Sequence, residues 1–134
     1  MSIQVTPRAP SALGAMRKLI VDDINRLVAD GCRESGVACD DVVDAVVVGN
    51  PTMQHILLGV NPEPLGRGPY LPVWADGVEI PAAEVGLHAL PRARVFVFPS
   101  IAGYIGGDTL AALLTRGPEF HRGAQLLIDV GTNG

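Results

Sequence analysis

Gln125-Leu126-Leu127-Ile128-Asp129-Val130-Gly131-Thr132-Asn133-Gly134 decides how the chain reads. A short apolar run leads into a carboxylate, and the chain then passes through Gly-Thr-Asn-Gly, where positive φ and close backbone approach carry little cost. A buried parallel strand presents a carboxylate and backbone N–H groups at a sheet edge in this way. Asp129 is thus a candidate to orient water bound to Mg²⁺, while the N–H groups of Gly131, Thr132, Asn133 and Gly134 approach phosphate oxygens. The competing reading is an Asp that makes a local turn hydrogen bond. Residues 125–134 read as the opening strand and phosphate turn of a unit that this stretch does not complete.

Upstream lie two more strand candidates. Asp44-Ala45-Val46-Val47-Val48-Gly49-Asn50 is an unbroken β-branched run, expected to be buried on both faces, and Arg94-Val95-Phe96-Val97-Phe98 is closed by Pro99. Asn50-Pro51 is a compact helix start, because Asn caps free N–H groups and Pro is tolerated at the first helical position. It opens a brief helix, Thr52 to Leu58, ended by Gly59. Before these, Leu13, Met16, Ile20, Ile24 and Leu27, widened by Leu19 and Val28, recur at helical spacing from an N-cap at Ser11 to about Ser35, with Gly36 as C-cap. Arg17, Lys18, Asp22, Asn25, Arg26 and Asp30 fall mostly on the other face, where solvation is their expected role. Cys39 to Asp41 reads as a single helical turn. Residues 60–76 carry too many Pro and Gly for a helix and form an irregular cover around Tyr70 and Trp74. Pro81 to Gly86 is one helical turn, and a helix beginning somewhere in 102–108 runs through Thr109 to Arg116 until Gly117-Pro118. The order is α/β with a mostly parallel sheet. The division is a lead-in at 1–10, a body at 11–124 and the strand and turn at 125–134.

The chain of 134 residues has the length of one domain, and its 48% apolar and 18% charged composition favours a buried globular body. A net charge of -4 without any Lys/Arg cluster gives no footprint for nucleic acid. No apolar run approaches the ~20 residues that span a membrane. The N-terminus lacks a basic-then-apolar leader pattern, so a cytoplasmic location is expected. Cys32 and Cys39 read as unrelated thiols, and two thiols cannot hold a four-cysteine iron–sulfur cluster.

Ligands of open α/β sheets lie at the carboxyl ends of strands. Those ends carry Gly49-Asn50, Pro99-Ser100 and Asp129 to Gly134, which either line one crevice or are ordinary strand-to-helix turns. Asp108, beside Gly106-Gly107 near a helix start, is either a cap that compensates the helix dipole or a base that positions an attacking water. His55, His88 and His121 offer no metal-ligand pair, and Thr52 and Ser100 lack an evident base for nucleophilic work.

Together, Val46 through His55, Phe98 through Asp108 and Leu127 through Gly134 resemble a known family. They look like the C-terminal domain of the ATP-dependent reductive activators of corrinoid proteins, in the superfamily of acetate and sugar kinases, heat-shock chaperones and actin. The resemblance spans nearly all of residues 11–134. It implies a ribonuclease-H-like, actin-like ATPase fold, with 11–124 as the latter part of the first half-domain and 125–134 opening the second. It further implies Asp108 and Asp129 as catalytic residues, Asp129 holding Mg²⁺ through water. Gly49, Asn50, Thr52, Gly131, Thr132, Asn133 and Gly134 would then face the nucleotide. Family members couple ATP hydrolysis to reduction of an inactive Co(II) corrinoid, with electrons from a [2Fe-2S] domain that is absent here. The earlier phosphate motif and the adenosine-contacting part are also absent, and Pro51 stands where the family commonly has Thr. The chain is therefore expected to be one piece of an activator, inactive alone, with ATP and a corrinoid protein as partners. The other readings are a module that docks a corrinoid protein through residues 60–76, and a truncated reading frame. An exposed edge on strand 125–130 would favour self-association.

Overall fold

A computed structural model describes residues 12–102 and 105–115 of the chain. Helix α1 (Ala12–Ser35) stops at Gly36, whose φ of 71° is the left-handed conformation expected of a glycine C-cap. Its buried face is rotated from the predicted stripe. Val21 is buried and Ile20, Ile24 and Val28 pack beside it, whereas Met16, Leu19 and Leu27 are exposed.

Two residues expected on the solvated face explain the rotation. Arg17 donates from Nε to the Leu57 carbonyl at 2.9 Å and from its terminal nitrogen to the Val85 carbonyl at 2.9 Å. Asn25 donates to the Gly86 carbonyl and accepts from the Ala89 N–H, each at 2.9 Å. These are the orphan carbonyls and the turn at the ends of two short helices, where a cation is also favoured by the helix dipole. The solvation role thus fails for Arg17 and Asn25. Lys18, Asp22, Arg26 and Asp30 do stay at the surface, in ion pairs with neighbours on the same helix. Arg17→Ala is expected to cost about 1–2 kcal/mol in urea unfolding, since it removes charge-assisted bonds to two helix ends. Arg17→Lys should recover less than half, because an ammonium cannot reach both carbonyls in the geometry of the guanidinium fork.

A 3₁₀ turn at Cys39–Asp41 leads into β1 (Asp44–Val47). Helix α2 (Pro51–Leu58) follows, capped by Asn50 Oδ1 accepting the Met53 N–H at 2.9 Å, with Pro51 in its first turn and Gly59 at φ 71° closing it. The Pro/Gly-rich cover contains one 3₁₀ turn, Glu63–Gly66. It then enters β2 (Val78–Pro81), a strand absent from the sequence reading. Helix α3 (Ala82–Val85), β3 (Arg94–Val97) and α4 (Gly107–Leu114) complete the described elements.

The sheet order is β1-β3-β2. β1 pairs parallel to β3 from Asp44↔Arg94 to Val47↔Val97, and β2 pairs antiparallel to β3 from Val78↔Val97 to Pro81↔Arg94. Among the described residues the sheet is therefore mixed, with one parallel and one antiparallel pair where a mostly parallel sheet was expected. Partners in register share a face, so Ala45, Val47, Val78, Ile80, Val95 and Val97 point together into the core with Leu57, Leu58, Val85, Leu87 and Leu90. The opposite face carries Val46, 64% exposed, beside half-buried Phe96, and an Arg94–Glu79 ion pair. The expectation that β1 is buried on both faces is corrected: among the described residues its even positions have no cover. The lead-in at 1–10, the Ser11 cap, the stop at Gly117-Pro118, the boundary at 124/125 and strand 125–130 with its edge lie outside the described residues.

Candidate functional site

The parallel pair β1–β3 places its two carboxyl ends side by side, and α4 begins directly against them. Gly107 N–H donates to the Gly49 carbonyl at 3.0 Å. Both Gly106 and Gly107 are buried, and neither has room for a side chain. A Cβ on Gly106 would stand 2.5 Å from the Gly49 oxygen and 2.6 Å from the Asn50 Cα. One on Gly107 would stand 2.7 Å from Gln54 Nε2 and 2.8 Å from the Phe98 Cβ. Backbone contact with the β1 turn is what these glycines permit.

Beneath the junction a polar relay links α2, the end of β3 and the cover segment. Gln54 is 1% exposed; its amide donates to the Phe98 carbonyl at 2.8 Å and its oxygen accepts the Ser100 hydroxyl at 2.8 Å. Ser100 N–H in turn donates to the Ala75 carbonyl at 2.8 Å, tying the cover segment to the end of β3. Ser100 is thus a buried bridging group with a glutamine partner. Sequence reasoning missed Gln54; its signal was a polar residue inside a short helix that is otherwise apolar from Ile56 onward.

Next to Gln54, His55 is also 1% exposed. Its Nδ1 lies 2.7 Å from the Pro51 carbonyl, which can only accept, so that nitrogen carries the proton. Nε2 is left buried without a partner among the described residues. Trp74 packs edge-on against the ring with centroids 6.4 Å apart. Trp74 therefore anchors the cover segment inward, while Tyr70, Leu71 and Val73 are exposed.

The structure brings together some of the residues singled out in sequence. Gly49, Asn50, Pro99, Ser100 and Asp108 meet around the α4 start. Asn50 spends its side-chain oxygen on the α2 cap. Gly49 contributes its carbonyl, and a Cβ there would meet only ordinary contacts at 3.8 Å and beyond. Asp108 is exposed in the first turn of α4, its Oδ1 accepting the Thr109 N–H at 3.0 Å, a position favoured by the helix dipole. Thr52 is not part of this cluster. It lines an open groove of about 480 Å³ with Pro62, Glu63, Leu65, Gly66 and Arg67. Asp129, Gly131, Thr132, Asn133 and Gly134 lie outside the described residues. Among the described residues no group of three or more His, Cys, Asp or Glu is arranged to hold a metal, and no helix is long and apolar enough to cross a membrane.

Residues 2–121 match the family model described as the RACo middle region. The chain belongs to the RACo family. The region matched is the middle one, whereas the sequence resemblance pointed to the C-terminal ATPase domain; the family is shown and that finer placement is not. Corrinoid activation enzyme RamQ of Eubacterium limosum is 30% identical over 132 residues, which cover 98% of this chain and 22% of that protein. A solved structure, a reductive activator for corrinoid, iron-sulfur protein, is similar with a TM-score of 0.73 at 34% identity, over 81% of this chain and 17% of that one. The chain thus spans only about a fifth of the length of these RACo relatives.

Proposed function

We propose that this RACo middle region forms one wall of an ATP cleft in a reductive activator of corrinoid proteins. The supporting observation is the junction of Gly49-Asn50 with Gly106-Gly107-Asp108 at the carboxyl ends of a parallel strand pair, the place where open α/β sheets receive ligands. The exposed Asp108 carboxylate beside buried glycine backbone suits the holding of a water at the phosphate end of a nucleotide. Asp108 holds an attacking water, and Asp129 with the Gly131 to Gly134 turn supplies the Mg²⁺-water ligand and phosphate contacts across the cleft. Gly49 and Asn50 serve the cleft as helix-docking carbonyl and cap, while Thr52 lines the separate open groove beside Pro62 and Arg67. The fold of the complete unit is then of the actin-like ATPase type, and ATP hydrolysis drives reduction of the corrinoid partner, with electrons arriving through a [2Fe-2S] domain outside these residues. The names of the two relatives, both corrinoid activators, support the partner class.

Titrating Mg-ATP into the full-length protein that carries these residues tests the reading. Asp129→Ala is expected to weaken binding about tenfold through loss of the metal-water contact. Asp108→Asn, which keeps the Thr109 contact through its amide oxygen, is expected to slow turnover while affinity stays within about threefold. Wild-type affinity and turnover in both variants would sink the assignment. The exposed Tyr70, Leu71 and Val73 favour a second role for the cover segment, docking the corrinoid protein without nucleotide. Unchanged corrinoid-protein affinity in Leu71→Asp would remove it.

A further inference from the structure

The Gln54 amide can sit only one way round. The Phe98 carbonyl accepts and cannot donate, so Nε2 faces it at 2.8 Å and Oε1 is left to accept the Ser100 hydroxyl at 2.8 Å. On the backbone, the Gln54 N–H donates to the Asn50 carbonyl at 3.1 Å, which sets the residue in the first turn of a helix that starts just past β1. Ser100 is fixed in turn by its N–H bond to the Ala75 carbonyl. The amide is thereby clamped at both of its ends, and α4 begins directly on it. At Gly107 a Cβ would come within 2.7 Å of Nε2, and on the strand side the Gly107 N–H donates to the Gly49 carbonyl at 3.0 Å. Gly107 opens α4 and Asp108 follows it in the same turn. The level at which the amide is clamped therefore sets the level of the carboxylate above the strand ends.

We propose that Gln54 is a positioning residue, which together with Ser100 fixes the Asp108 carboxylate over the carboxyl ends of β1 and β3. The inference rests on the reading that Asp108 holds an attacking water, and it names what keeps that carboxylate in place. Gln54 is 1% exposed and lies under the two glycines, so it acts through Asp108 and not on the nucleotide. Without its two bonds the side chain at this position changes rotamer freely, and the start of α4 gains play. Play of that kind costs a reaction far more than it costs ligand binding, so the loss belongs in kcat.

Turnover and Mg-ATP affinity are measured in the full-length protein that carries these residues, with every variant checked for folding by circular dichroism at the assay temperature. Gln54→Met keeps the length of the side chain without either bond, and should lower kcat about tenfold while affinity stays within about threefold. Ser100→Ala leaves the Phe98 bond in place and disturbs the fold less; it should lower kcat about threefold. Combining either variant with Asp108→Asn should slow turnover no further than Asp108→Asn alone, because the amide acts only through that carboxylate. A general loosening of the fold would multiply the losses instead. Wild-type turnover in Asp108→Asn would remove the water-holding reading and the positioning role with it. A slow Asp108→Asn beside wild-type kcat in Gln54→Met and Ser100→Ala, or losses that multiply in the combined variants, would overturn the positioning role alone.

Discussion

Gly106→Ala is expected to lower stability by about 3 kcal/mol, roughly a 150-fold loss in the folding constant, read from the midpoint shift in urea. The new methyl would lie 2.5 Å from the Gly49 oxygen, 2.6 Å from the Asn50 Cα and 2.6 Å from Asp108 Oδ1. Only the last belongs to a side chain able to swing away. The other two are backbone atoms of a turn fixed by the Asn50 cap and by buried Pro51, so relief must come from lifting α4 off the strand ends. Lifting it breaks the Gly107-to-Gly49 bond and misplaces Asp108, so the variant should lose whatever the full-length protein does at this crevice. Gly31→Ala is the control of opposite sign: a Cβ there meets nothing within 4 Å, and α1 should gain about 0.5–1 kcal/mol from helix propensity.

Gln54→Leu is expected to cost about 2–3 kcal/mol although leucine restores most of the volume. The loss is polar. Removing the amide strands the Phe98 carbonyl and the Ser100 hydroxyl in a site where Ser100 is 8% exposed and Gln54 1% exposed. The double variant Gln54→Leu with Ser100→Ala removes one of those orphans and should recover part of the deficit, a coupling that a double-mutant cycle in urea measures directly. Additive losses in that cycle would show that the relay is not a unit.

Both experiments probe contacts of very different visibility in the sequence. The α1 span, its Gly36 stop, the Asn50-Pro51 start, the Gly59 stop and the one-turn helix ending at Gly86 were legible because caps act within a few residues of the helix they end. β2 was not legible: four residues with one charge and a terminal proline give too little alternation to count. The burial of β1 was misjudged because a β-branched run reports strand propensity and not how many faces are covered. Arg17 and Asn25 were assigned to solvent because their partners lie 40 to 68 residues away, beyond any periodicity. At the strand ends, the convergence of Gly49-Asn50 with Pro99-Ser100 followed from the parallel α/β reading. Gln54, which lies beneath them, declared itself only through its neighbours.

The strand order carries a consequence for how the chain acquires its shape during synthesis. β1 and β2 never pair with each other; each pairs with β3, the last of the three to be made. A ribosome that has released residues as far as Pro81 has therefore delivered two strands that still lack the partner they share, and the ladder among the described residues closes only when Arg94–Val97 emerges between them. Until then α1 and α2 can associate locally, but the core they cover has no floor. Capture of β3 by two waiting edges is a non-local event of the kind that sets folding rates in mixed α/β domains.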